Sequence, residues 1–128
     1  MRPLIYVVDD DPLVCDLMAL HLKTYDVQCA TSGVDALWAL KRIRPALLLL
    51  DIDMPGMTGL QVLEALRKHP THMHTPVMMM TARKGSAAVR EAMAAGANGY
   101  LVKPFSRDQL MARVKQLANQ DEISWLTI

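Results

Sequence analysis

Five residues able to do chemistry together are spread along most of the chain: Asp9, Asp10, Asp51, Thr81 and Lys103. Each comes at or just after an apolar run. Asp9 and Asp10 follow Leu4-Ile5-Tyr6-Val7-Val8, and Asp51 follows four leucines at 47–50. Thr81 closes Pro76-Val77-Met78-Met79-Met80, and Lys103 comes after Gly99-Tyr100-Leu101-Val102. Three carboxylates meeting in one crevice repel; at an effective dielectric of about 20, each pair at ~4 Å costs on the order of 4 kcal/mol. Lys103 offsets part of this. A divalent cation bound through oxygen offsets the rest, which suits Mg²⁺ (or Mn²⁺) with open water positions. A carboxylate, a hydroxyl, an ammonium and a hard cation at one point are the parts of a phosphoryl-transfer site, where catalysis is mostly positioning and electrostatics. Asp51 is then the nucleophile, attacking in line.

That convergence depends on the elements carrying these residues. The leucine run, bounded by Asp51 and Pro55-Gly56, reads as a strand buried on both faces, as in the centre of a parallel sheet. Asp26-Val27-Gln28-Cys29-Ala30 is less apolar and suits a sheet edge. Asp11-Pro12 is a helix start with Asp11 as N-cap, and Leu13, Leu17 and Leu20 are expected on that helix's core side. Ser32 with Asp35, Thr58 with Gln61 and Ser106 with Gln109 are spaced as capping boxes. Leu37, Leu40 and Ile43 carry the second helix to Arg44-Pro45, and the third runs to about His69-Pro70. Ser86 opens an alanine-rich helix that Gly96 closes. Leu110, Val114 and Leu117 form the buried face of the last.

Five strands alternating with five helices predict an α/β protein: a three-layer α/β/α stack on a five-stranded parallel sheet, joined by right-handed crossovers. With the second strand at the edge, the order is 2-1-3-4-5. The polar residues then meet at the switch point between strands one and three, where open sheets bind ligands.

The length of 128 residues fits one domain over about 1–120, with 121–128 a tail or the start of a linker. At 52% hydrophobic and 21% charged, the chain is globular rather than disordered. A net charge of +1, with no helix-turn-helix or basic stripe, argues against direct nucleic-acid binding. No apolar run is long enough to span a membrane, and Met1-Arg2-Pro3 leads straight into a strand, unlike a signal peptide. A cytoplasmic location is expected. Cys15 and Cys29 lack ligand spacing and are expected to be reduced core residues. Trp125 lies outside the domain pattern.

Val-Val-Asp-Asp-Asp-Pro at 7–12, Leu-Leu-Asp-Ile-Asp-Met-Pro-Gly-Met-Thr-Gly at 49–59, Met-Thr-Ala at 80–82 and Gly-Tyr-Leu-Val-Lys-Pro-Phe at 99–105 together resemble the receiver domain of two-component response regulators, chemotaxis regulators among them. The resemblance covers about residues 4 to 118 and implies a flavodoxin-like fold. It implies that Asp51 accepts a phosphoryl group from a histidine kinase or histidine phosphotransfer protein. Asp10 would bind Mg²⁺ directly, Asp9 through water, and Asp53 through its main-chain carbonyl. Lys103 would pair with phosphoryl oxygens, before a cis bond to Pro104. Thr81 and Tyr100 would be the switch residues. The face made by the fourth helix, fifth strand and fifth helix would control a downstream protein or output domain, with homodimerisation on phosphorylation as one form of output. In two places the sequence invites comment. Ala46 stands where the family often has an acidic residue, and Asp53 and Arg83 flank the path of an attacking water, where they would modulate dephosphorylation.

Other readings compete. A pseudo-receiver would be an interaction module that is never phosphorylated. Asp51-x-Asp53 echoes the pair of haloacid-dehalogenase-type phosphatases, but those place it on the first strand. The receiver is expected to be no enzyme beyond its own phosphorylation and dephosphorylation. His69, His72 and His74 read as a surface loop rather than a metal site, Trp38 as a helix residue packed on the sheet, and most methionines as core, with Met54 and Met57 on an exposed loop.

Overall fold

The computed structural model describes residues 2–118. Strands β1 (Leu4–Val8), β2 (Asp26–Ala30), β3 (Leu47–Asp51), β4 (Val77–Thr81) and β5 (Gly99–Val102) alternate with helices α1 (Pro12–His21), α2 (Gly33–Leu40), α3 (Gly59–Lys68), α4 (Ser86–Ala94) and α5 (Arg107–Ala118). All strand pairs are parallel, in the order β2-β1-β3-β4-β5. This is the predicted sheet, with the predicted edge strand. The Trp125 segment and the boundary at 120 lie outside the described residues.

Strand alternation divides the core. Ile5, Val7, Leu47, Leu49, Met78, Met80 and Leu101 pack with Met18 and Leu22 and with Leu110, Val114 and Leu117 of α5. Tyr6, Val8, Leu48, Leu50, Val77, Met79 and Tyr100 pack with residues of α2, α3 and α4. Because β3 and β4 are buried along their whole length, only apolar residues serve there, up to the last position of each. Those last positions are Asp51 and Thr81.

The caps act as the spacing predicts. Asp11 accepts from Leu13 N–H, Thr58 and Gln61 exchange bonds reciprocally, and so do Ser106 and Gln109. Ser32 accepts from Asp35 N–H. The exception is α4, which starts at Gly85 (φ 100°) with no side-chain cap. At the opposite rim the structure is tied together. Arg67 donates to the carbonyls of Gly96 and His72 and to Asn98 Oδ1, and the same Oδ1 accepts from Val77 N–H.

Several expectations fail for local reasons. Leu13, Leu17 and Leu20 face solvent, Leu13 at 71% exposure; α1 instead buries Met18 and half-buries Val14 and Cys15. Three leucines at helical spacing mark a face, but not which way it turns. Trp38 is 65% exposed, beneath the Lys41 ammonium at 4.1 Å, because Ala36 and Leu40 already fill the core side of α2. That helix ends at Leu40, short of Arg44-Pro45. Met54 is buried rather than exposed. His72 is 2% exposed, its ring held by Thr75 Oγ1 and the Leu40 carbonyl, so the histidine segment is only partly a surface loop. Cys15 and Cys29 are joined in a disulfide, with Cα atoms 6.0 Å apart, contrary to the reduced pair expected. Cys29 shares the strand face of Val27, packed toward α1, which brings the two sulfurs together.

Candidate functional site

The carboxyl ends of β1, β3, β4 and β5 gather the predicted residues at one rim. Carboxylate oxygens of Asp9, Asp10 and Asp51 lie within 4.8 Å of one another. Lys103 Nζ lies 2.6 Å from Asp9 Oδ2 and 3.9 Å from Asp51 Oδ1. Counting by twos along each strand explains the grouping. Asp9 and Asp51 continue the series 5-7 and 47-49, which faces α1 and α5. Thr81 and Tyr100 belong to the other series, which faces α4. Asp9 and Asp51 therefore sit on the opposite side of the sheet's rim from Thr81 and Tyr100.

Asp51 is 6% exposed. Burial pushes its carboxyl up to about 6 from the usual 3.8; Asp9 and Asp10 add to the rise, while Lys103 and the Asp53 backbone N–H oppose it. A buried carboxylate next to two others is poor at holding charge by itself. Cation binding would relieve that. The donor set is all carboxylate oxygen with one exposed member, Asp10, which fits a hard divalent ion rather than a soft one. Among the described residues, no other group of His, Cys, Asp and Glu is arranged to hold a metal, and the His69, His72 and His74 segment is no exception.

The loop after β3 is shaped by Gly59. Its N–H donates to the Ile52 carbonyl at 2.9 Å, and an added Cβ would collide with the backbone carbonyl of Asp51. Only glycine lets α3 start this close behind Asp51. Across the mouth, Arg83 grips Asp53 through Nε and Nη2, at 2.7 to 3.0 Å. Arg83 holds the Asp53 carboxyl below its usual range. Thr81 Oγ1, fully buried, accepts from Arg83 N–H, and the Tyr100 hydroxyl donates to the Arg83 carbonyl at 3.0 Å. Thr81, Tyr100 and Asp53 thus converge on one residue, Arg83. The bond from Lys103 to Asp9 was not foreseen; the cis Lys103-Pro104 peptide was.

Comparison with known proteins defines the family and the fold. The family model described as "Response regulator receiver domain" matches residues 5–115. The DNA-binding response regulator MtrA of Mycolicibacterium smegmatis is 36% identical over 124 residues, which is 95% of this chain and 53% of that protein. Chemotaxis response regulator CheY4 of Vibrio cholerae superposes with a TM-score of 0.86 at 28% identity, covering 91% of this chain and 99% of that one. The receiver domain of sensor histidine kinase PA1611 from Pseudomonas aeruginosa, with a magnesium ion in its active-site cleft, shares the fold (TM-score 0.84, 24% identity, 93% and 99% covered). The chain belongs to the response regulator receiver family of two-component systems. It spans about half the length of the curated relatives it matches.

Proposed function

We propose that this chain is a phosphorylation-dependent signalling switch, with Asp51 as phospho-acceptor. The observation that carries this reading is the meeting of Asp9, Asp10, Asp51 and Lys103 at one rim. Asp10, Asp51 and the Asp53 main-chain carbonyl would hold Mg²⁺ (or Mn²⁺), with Asp9 acting through water. When bound, the ion supplies positive charge against the phosphoryl oxygens. An Asp51 carboxylate oxygen forms a bond to phosphorus as the bond from phosphorus to a kinase histidine nitrogen, or to a small phosphodonor's leaving oxygen, breaks. Lys103 neutralises charge on the transferred group, and Thr81 and Tyr100 report its presence toward α4.

Asp53 and Arg83 are the dephosphorylation modulators in this reading. Asp53 stands two residues past the acceptor and is able to orient a water, while Arg83 occupies its carboxylate. The partners are a histidine kinase or phosphotransfer protein and a downstream protein or output domain, with no activity on external substrates. A cytoplasmic location belongs to the same reading; no helix of the described residues is long and apolar enough to cross a membrane. Relatives such as MtrA are named as DNA-binding; for this chain the reading is an output through protein contact, without direct nucleic-acid binding.

The deciding experiment is incubation with acetyl phosphate and Mg²⁺, followed by intact mass. A gain of one phosphoryl group, absent in Asp51→Asn, supports the switch. No gain in the wild type would leave a pseudo-receiver.

A further inference from the structure

The Cys15–Cys29 disulfide lies outside the acidic site, yet together with the hydrogen bond from Asp9 N–H to the Ala30 carbonyl it closes a ring that includes Asp9 and Asp10. Cys15 is in the first turn of α1. From there the helix runs back to Asp11, whose backbone N–H donates to Asp9 Oδ1 at 3.0 Å. Cys29 is the penultimate residue of β2. The strand ends at Ala30, whose carbonyl accepts the Asp9 N–H at 3.2 Å. The loop bearing Asp9 and Asp10 is therefore gripped from two sides by the two segments that the sulfurs join. β2 is the sheet edge, paired with β1 alone, so no strand holds it from outside. Both cysteines are only partly buried, within reach of a thiol reagent.

We propose that Cys15 and Cys29 form a redox-sensitive positioning device for the acidic loop. Oxidised, they hold the first turn of α1 against the end of β2 and fix Asp9 and Asp10 for cation binding. Reduced, the two segments gain freedom and the loop loses its preset geometry. The exchange partner is a dithiol. One of its thiolates attacks a protein sulfur, giving a mixed disulfide and releasing the other cysteine as a thiol. Its second thiol then displaces the first cysteine, so two electrons reach the protein and the reductant leaves as a disulfide. A disulfide-class oxidant reverses the sequence. The proposal rests on the cation-dependent phosphorylation described above.

The test compares the full chain oxidised with glutathione disulfide against the chain reduced with dithiothreitol and freed of it anaerobically. Thiols are counted by alkylation and mass, MgCl₂ affinity is read by calorimetry, and phosphorylation by acetyl phosphate is timed. The reduced form is expected to bind Mg²⁺ on the order of tenfold more weakly, as when an outer support of a metal ligand is lost, and to phosphorylate more slowly. A Cys15→Ser/Cys29→Ser double variant, its fold verified by circular dichroism, should match the reduced form and ignore the oxidant. Equal affinity and rate in both redox forms, with phosphorylation intact, overturns the redox device alone, as does failure of the disulfide to form. Absence of both Mg²⁺ binding and phosphorylation in the oxidised and the reduced form alike overturns the switch reading, and this proposal with it.

Discussion

Lys103 is bonded to Asp9 rather than to Asp51: its ammonium is 2.6 Å from the first carboxylate and 3.9 Å from the second. The charge that would meet a phosphoryl group is thus held beside its target, by a residue at the end of β1, three places from β5 in the sheet. Phosphoryl oxygens on Asp51 would compete with Asp9 for it. Lys103→Met should therefore slow phosphorylation by acetyl phosphate by about 10²-fold, the usual loss when one donor to a developing oxyanion is removed. A time course of intact mass measures this, and an unchanged rate would assign Lys103 a structural role only.

Asp51 gives a pH signature. Its folded-state carboxyl titrates near 6, above the 3.8 of the free group. The folded protein therefore binds this proton more tightly than the unfolded chain does. Stability from this residue falls as pH rises from about 4 to about 6, by roughly 3 kcal/mol at most, and stays low above that. Asp51→Asn should be more stable than wild type at pH 7.5 by roughly 1–3 kcal/mol and similar to it near pH 4. Urea midpoints at the two pH values decide the matter; a constant difference would remove burial of Asp51 as the cause.

The Arg83–Asp53 pair is about half exposed on both sides, so solvent screens it and it adds little to stability. Its effect should appear in kinetics. Arg83→Ala frees Asp53 beside the acceptor and should shorten the phosphoryl lifetime a few-fold, whereas Asp53→Asn should lengthen it. Dephosphorylation followed after removal of the phosphodonor measures both; wild-type lifetimes in the two variants would discard the role.

Gly59 has no room for a side chain against the Asp51 backbone. Gly59→Ala should lower stability by about 3 kcal/mol through overpacking and should disturb phosphorylation even where the chain still folds. Chemical denaturation together with the acetyl phosphate assay separates the two effects. Wild-type values in both would show that the α3 start can shift.

The sheet and the site were legible because both rest on strong local signals. The continuous apolar runs of β3 and β4 end at Asp51 and Thr81, so a polar residue after a buried strand marks both the boundary and the site. What the sequence concealed was direction around a helix. The exposed Leu13, Leu17 and Leu20 and the exposed Trp38 obey helical spacing yet turn outward, because Met18 in α1 and Ala36 and Leu40 in α2 already fill the core side. The cysteine pairing was hidden for a different reason. It joins a helix to an edge strand, and ligand spacing says nothing about such pairs. The strand alternation that places Cys29 beneath α1 would have suggested it. Arg67, His72 and Asn98 bond mainly to backbone groups, and such partners leave no mark in composition.

The stitching of Arg67 and Asn98 at the lower rim has a mechanical consequence. The turn that ends α4 is pinned through Gly96, while the start of the same helix hangs on Gly85 without a cap, on the side of Thr81 and Tyr100. A pull transmitted through Arg83 would swing α4 about its fixed foot like a hinged door, with the greatest travel near Ser86 and the least near Ala94. Amide exchange should show that gradient along the helix, steepening when the acceptor is loaded.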